Sequence, residues 1–127
     1  MIEPIEKYDS GSIRIANEVV SIIAGLAATE VKGVAGMSGG VVDGITELLK
    51  KKNFTKGVKV EVGEKQAAID LYVVIEYGYR IPDTAYLIQE NVKKAVESMT
   101  GLEVIEVNVN IQGVEFKSDE TTEPKVK

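Results

Sequence analysis

Between Tyr77 and Phe116 the spacing of apolar residues changes once, from a helical repeat to a strand repeat. That single change restricts the chain to folds in which a helix packs on a sheet. Over Asp83–Thr100 the apolar positions Ala85, Ile88, Val92, Ala95, Val96 and Met99 form one helical stripe. Pro82 presets φ for a first turn, Asp83 can cap its free N–H groups, and Gly101 stands where a left-handed residue ends a helix. The opposite face pairs Glu90 with Lys94 and Lys93 with Glu97, and is expected to meet solvent. From Ile105 the period is two: Ile105, Val107, Val109 and Ile111 alternate with Glu106, Asn108, Asn110 and Gln112, as a strand with one buried face requires. The helix stripe and the apolar strand face are predicted to bury each other, each large aliphatic contributing about 1.5–3 kcal/mol.

The remaining segments fit around this unit. Residues 1–10 are polar and aperiodic, and read as a flexible arm; Gly11–Ile15 reads as a short strand with Ile13 and Ile15 inward. Val19, Ile22, Ile23, Leu26, Ala27, Glu30 and Val31 trace a mostly apolar helical face, with Asn17 as N-cap, Gly25 at a close approach and Gly33 as the stop. Lys32–Gly40 then reads as a short strand running into a turn. Val42, Ile45, Leu48 and Leu49 make a shorter amphipathic helix that ends in Lys50, Lys51 and Lys52, cations suited to its negative end. Val58, Val60 and Val62 alternate with Lys59 and Glu61, and the alternation resumes after Gly63–Gln66 at Ile69, Leu71, Val73, Ile75 and Tyr77. Pairing Val62 with Ala67 across that turn sets Val60 against Ile69, Val58 against Leu71 and Lys59 against Asp70. From Lys117 onward periodicity is lost, and the tail is expected to be disordered.

The predicted order is therefore β-α-β-α-β-β-α-β in a single domain over residues 11–116. It is an α+β fold: a two-layer α/β sandwich on a mixed or antiparallel sheet, with helices mainly on one face. The other face is left open and carries Lys59, Glu61, Asp70, Tyr72, Glu76, Asn108, Asn110 and Gln112.

Chemistry is sparse on this scaffold. The chain has no histidine and no cysteine, which removes imidazole bases, thiol nucleophiles and the commonest zinc ligands. Asp70 and Glu76 sit six residues apart on one strand face, about 20 Å, against the roughly 5–9.5 Å that paired carboxylates need for glycoside hydrolysis. Glu61 is nearer to Asp70, but Lys59 is the expected partner of that carboxylate. No catalytic residue, metal ligand or cofactor is expected. A net charge of −5 disfavours a broad phosphate-binding surface. Lys50, Lys51, Lys52 and Lys56, beside Phe54, nevertheless form a candidate patch for an anionic ligand, diluted by Glu47. Gly33-Val34-Ala35-Gly36 has the GxxG spacing of KH domains but no basic residue between its glycines. Tyr77 and Gly78 are expected to pack at a chain bend. No apolar run approaches the roughly 20 residues of a membrane span, and the first residues lack a signal-peptide pattern, so a soluble intracellular chain is expected.

Several short motifs then occur in a telling order: Gly33-Val34-Ala35-Gly36-Met37, Val42-Asp43-Gly44, Gly57-Val58-Lys59-Val60-Glu61-Val62-Gly63, Tyr77-Gly78 with Ile81-Pro82, Ile88-Gln89-Glu90-Asn91-Val92, Ser98-Met99-Thr100-Gly101-Leu102-Glu103-Val104, and Val107-Asn108-Val109 with Gln112-Gly113-Val114. Together they resemble the bacterial alkaline-shock, or envelope stress response, family over roughly residues 10–116. The resemblance implies a cytoplasmic, non-enzymatic protein of cell-envelope homeostasis and stress, held near the membrane in some members by a small membrane-protein partner. It carries over no catalytic residue. The expected role is an interaction scaffold whose open face, at Lys59, Asp70, Tyr72, Asn108, Asn110 and Gln112, meets a protein partner or a second copy. The rival expectation is a KH-like RNA-binding protein using the Gly33–Gly40 turn and the Lys50–Lys56 patch.

Overall fold

The uninterrupted alternation from Ala67 to Ile75 makes one strand the axis of the fold, in a computed structural model that describes residues 4–8, 11–38 and 56–116. In chain order the elements are β1 (Pro4–Tyr8), β2 (Gly11–Arg14), α1 (Asn17–Thr29), β3 (Val34–Met37), β4 (Val58–Val62), β5 (Gln66–Glu76), α2 (Ile81–Thr100) and β6 (Glu103–Glu115). The architecture is the expected α+β sandwich, with a mixed sheet. β5 pairs antiparallel along one edge, first with β4 and then with β3, and parallel along the other edge with β6. The hairpin register is the one the alternation dictates: Val62 opposite Ala67, Val60 opposite Ile69, Lys59 opposite Asp70 and Val58 opposite Leu71. β4 and β3 meet at one residue, because the Tyr72 N–H donates to the Gly57 carbonyl at 2.8 Å and the Ser38 N–H donates to the Tyr72 carbonyl at 2.7 Å.

Both helices lie on the odd-numbered face of β5, where Ile69, Leu71 and Val73 are fully buried. α2 is the crossover between parallel strands β5 and β6, which no short turn could join. It buries Thr84, Ile88, Val92, Val96 and Thr100, and stops at Gly101, whose φ of +81° is left-handed as its position demands. Thr100 closes the corner by donating to the Val96 carbonyl at 2.6 Å and accepting from the Leu102 N–H. α1 packs beside α2 through small residues, with Gly25, Ala24, Ala27 and Ala28 all buried, and the Asn91 side chain donates to the Ala27 carbonyl at 2.8 Å.

Several expectations are corrected by this arrangement. α1 is rotated relative to its most apolar stripe: it buries Ile23 and Ala27 of that stripe as expected, together with Val20, Ala24 and Ala28, and leaves Val19 and Leu26 exposed. Close helix packing selects small side chains, which a hydrophobic stripe undervalues. Asn17 is the first helical residue rather than the cap, which is Ala16. Met99 points outward, and so does Tyr77, whose ring stacks on Phe116 at 4.9 Å. Ile13 is exposed, while Ile15 packs against the core as expected. The ten residues read as an arm contain β1, which pairs with β2 as a ribbon apart from the main sheet; backbone pairing there requires no apolar alternation. The helix expected over Val42–Leu49, the lysines at positions 50–52 and the tail from Lys117 lie outside the described residues.

The Lys93/Glu97 face of α2, expected to be solvated, instead caps β6. The Lys93 ammonium donates to Glu97 Oε2 at 2.8 Å and to the Val104 carbonyl, while the Val104 N–H donates to the same Glu97 oxygen at 2.9 Å. The Lys93 hydrogen bond first, and that of Val104 second, hold the Glu97 carboxyl below its ordinary value of 4.5. A carboxyl depressed in the folded state stabilises the fold above that ordinary value and stops doing so as pH falls through the depressed one. The stability difference between wild type and Glu97→Gln, measured by urea unfolding, should therefore be present near neutral pH and shrink below 4.5. A difference independent of pH would show that the carboxylate charge is not involved.

Candidate interaction surface

Strand alternation sends the even residues of β5 to the face opposite the two described helices. Ala68, Asp70, Tyr72, Val74 and Glu76 run down its centre, with Lys59 and Glu61 of β4 on one side and Asn108 and Asn110 of β6 on the other. Parallel pairing sets Asp70 beside Asn108 and Tyr72 beside Asn110. The Asn108 amide donates to Asp70 Oδ1 at 2.7 Å and to Glu106 Oε2 at 3.0 Å, tying two carboxylates to one neutral group. Asn110 donates to the Leu71 carbonyl at 3.1 Å. Both amides are thereby held in fixed orientations.

Lys59 does not reach Asp70 as an ion pair, although the two stand opposite each other. Its ammonium lies over the Tyr72 ring, 5.6 Å from the centroid, a contact worth about 0.5–1 kcal/mol at an exposed site. The sequence pointed to the juxtaposition but not to this choice of partner, since a cation prefers whichever neighbour its stem can reach without desolvating its head. Five of the six residues expected on this face are thus brought together: Lys59, Asp70, Tyr72, Asn108 and Asn110. Gln112 is displaced from them by a bulge between Ile111 and Gly113. Ala68 and Val74 belong to the same face, apolar side chains at even positions where the alternation expects polar ones, and sequence reasoning misses them because it takes that face from its polar residues. The result is a patch with a half-buried aromatic at its centre, amides held by hydrogen bonds along one flank and single charges around it.

Of the anionic-ligand patch, Lys50, Lys51 and Lys52 lie outside the described residues, and Lys56 is half-buried beside the Gly57 turn. The GxxG spacing is not a loop. Gly33 is wedged beneath Tyr79, and Val34 to Gly36 lie in β3 opposite Ile75 and Val74, so the segment is spent on the sheet. Among the described residues no group of three acidic side chains converges to hold a metal. Over the helices, Val19, Ile22, Leu26, Ala95 and Met99 line an apolar groove of about 410 Å³.

Residues 6–116 match the model of the alkaline-shock protein 23 family, described as having a cell envelope-related function. YqhY of Bacillus subtilis, an uncharacterized protein, is 42% identical over 84% of this chain and 78% of its own length. YloU of the same organism, also uncharacterized, is 42% identical over 89% of this chain and 94% of its own. A Streptococcus pyogenes stress response regulator gls24 homolog is 38% identical over 84% of this chain, which spans 60% of that relative's length. Among solved structures, the MamM C-terminal domain superimposes with a TM-score of 0.48 at 16% identity, over 77% of this chain and 98% of that one.

Proposed function

The chain belongs to the alkaline-shock protein family, whose function is related to the cell envelope, and from that premise we propose that it is a non-enzymatic interaction scaffold of the envelope stress response. The observation that carries the proposal is the open sheet face. A half-buried tyrosine flanked by amides already held in place presents recognition groups that lose little freedom on binding. Nothing about this surface suits bond-making chemistry: it lacks a nucleophile with an adjacent base and offers neither imidazole nor thiol. The stress response regulator among the relatives points in the same direction. Among the described residues no helix is long and apolar enough to cross a membrane. In this reading a small membrane-anchored protein holds the chain near the envelope on the cytoplasmic side, gripping Tyr72 and its neighbours.

The test is affinity capture of the tagged chain from detergent-lysed cells of its source, with and without nuclease. A membrane protein should survive nuclease with the wild type and be lost with Tyr72→Ala or Asp70→Arg, both expected to keep the wild-type circular dichroism. Retention indifferent to both substitutions would remove the face from the interaction. Capture abolished by nuclease, together with RNA binding that weakens steeply with salt, would instead favour the KH-like alternative.

A further inference from the structure

The two edges of the main sheet are defended very unequally. One is divided between β3 and β4, strands of four and five residues, and the β4 portion carries Lys59 and Glu61. Short, charged edges of this kind resist pairing with another chain. The other edge is β6, 13 residues long, in which Val107–Val114 carries no charge at all.

The register identifies which backbone groups face outward along β6. Tyr72 uses its N–H and carbonyl on the β3/β4 side, so those of Leu71 face β6, where Leu71 stands opposite Val109. In a parallel ladder this turns the backbone of Asn108 and Asn110 toward β5, and that of Val109 and Ile111 away from it. At the start of the strand the outward groups are capped from α2: Lys93 and Glu97 serve the carbonyl and N–H of Val104, and Gln89 donates to the Val107 carbonyl at 3.0 Å. Among the described residues the caps end at Val107. Among the described residues no strand pairs with the outer edge of β6.

We infer that the uncapped edge of β6 at Val109 and Ile111 pairs antiparallel with the same edge of a second copy, about a two-fold axis through Asn110. This names one partner of the scaffold proposed above and rests on that reading. The axis follows from the chemistry of the strand. Centred on Asn110, Val109 of one copy opposes Ile111 of the other, and the two residues exchange both hydrogen bonds in each of two symmetric pairs. Centring on Val109 would call on the Val107 carbonyl, which Gln89 already occupies. Centring on Ile111 would oppose Val109 to Gly113, which lies beyond the bulge. With the axis at Asn110, the open face sets Asn110 against Asn110, while Asn108 falls opposite the neutral bulge residue Gln112. Neutral amides then meet neutral amides, with no like charges opposed, in a chain whose net charge of −5 makes most self-contacts repulsive. The partly buried Val109 and Ile111 meet on the helix side. A two-fold contact of this kind is self-complementary and closes at the dimer.

Sedimentation equilibrium of the full chain, combined with amide exchange, tests the pairing. Wild type should form a concentration-dependent dimer. Asn110→Lys and Asn110→Glu should each weaken it about tenfold or more, the size of one like-charge clash across an interface. Mixing the two variants should restore a heterodimer, which neither a folding defect nor a general charge effect would do. In the wild type the amides of Val109 and Ile111 should be protected with rising concentration and exchange fast in Asn110→Lys, while those of Asn108 and Asn110, bonded to β5, stay slow throughout. Failure of the mixture to dimerise, concentration-independent exchange at Val109 and Ile111, or a wild type monomeric at every concentration would overturn the inference. Tyr72→Ala separates the two readings: a dimer lost there but kept in Asn110→Lys assigns self-association to the open face. A dimer kept in Tyr72→Ala, with membrane-protein capture also unchanged, leaves the edge standing and removes the face.

Discussion

Leu71→Ala is expected to destabilise the protein by about 3–5 kcal/mol, the upper part of the range for leucine truncations. Leu71 is fully buried at the centre of β5, between Val58 on one side and Val109 on the other. Hydrogen-bonded strands on both edges and helices above hold its surroundings in place, so the cavity left behind cannot collapse. A loss of that size is a large fraction of the roughly 5–15 kcal/mol that holds a typical domain together. Urea unfolding should show a midpoint far below wild type at an unchanged slope. Val74→Ala, on the open face of the same strand, should cost less than about 1 kcal/mol, because that side chain is only half-buried. Equal losses at the two sites would mean that the core lies on both faces of the sheet.

Gly57→Ala should be the most damaging of the glycine substitutions. Its φ of +77° costs an alanine about 1–2 kcal/mol in conformation alone. A Cβ there would also stand 2.7 Å from the Ser38 carbonyl oxygen and 2.9 Å from that of Tyr72. Both are backbone atoms where β3, β5 and β4 meet, and the Tyr72 oxygen itself accepts the Ser38 N–H, so neither can yield without disturbing the junction. Overpacking of this kind adds about 1–3 kcal/mol. Gly78 provides the control: its φ is +104°, but a Cβ would find nothing within 4 Å, so Gly78→Ala should cost only the conformational part. Gly33 should fall between them. There the obstacle is the Tyr79 ring at 2.8 Å, a side chain with room to swing outward. Thermal unfolding of the three variants gives the order directly, and a Gly57 variant no worse than that of Gly78 would contradict the tightness of the junction.

The residues that could be placed from the sequence were those under two constraints at once. The β4–β5 register combines strict alternation with a fixed turn length, and a slip of one residue would have thrown Leu71 and Ile69 into water. Gly101 was legible because a helical stripe ended where a strand period began. β6 shows the opposite case. Ile105, Val107, Val109 and Ile111 alternate perfectly, yet a bulge after Val104 turns Ile105 outward and puts Val104 in the core. A bulge moves the backbone without disturbing the letters. The orientation of α1 was hidden for a different reason: beside Val20 and Ile23 its buried face is built from serine, glycine and alanine, which contribute by letting α2 come close rather than by their own apolar area. On the open face, position was legible and partnership was not. Lys59 and Asp70 could be set opposite each other, but only side-chain geometry shows that the ammonium settles on Tyr72 while the carboxylate takes Asn108.

The meeting of β3 and β4 at Tyr72 has a consequence for how this chain tolerates change in length. Ser38 and Gly57 bond to the carbonyl and the N–H of the same residue, so the chain leaves the sheet and returns to it at one point. Whatever lies between them closes a circuit whose ends are already fixed side by side. The entropy of such closure rises only with the logarithm of length, about 0.6 kcal/mol for each doubling. A change in the number of residues joining Ser38 to Gly57 therefore adds little closure entropy to what the junction at Tyr72 must already bear.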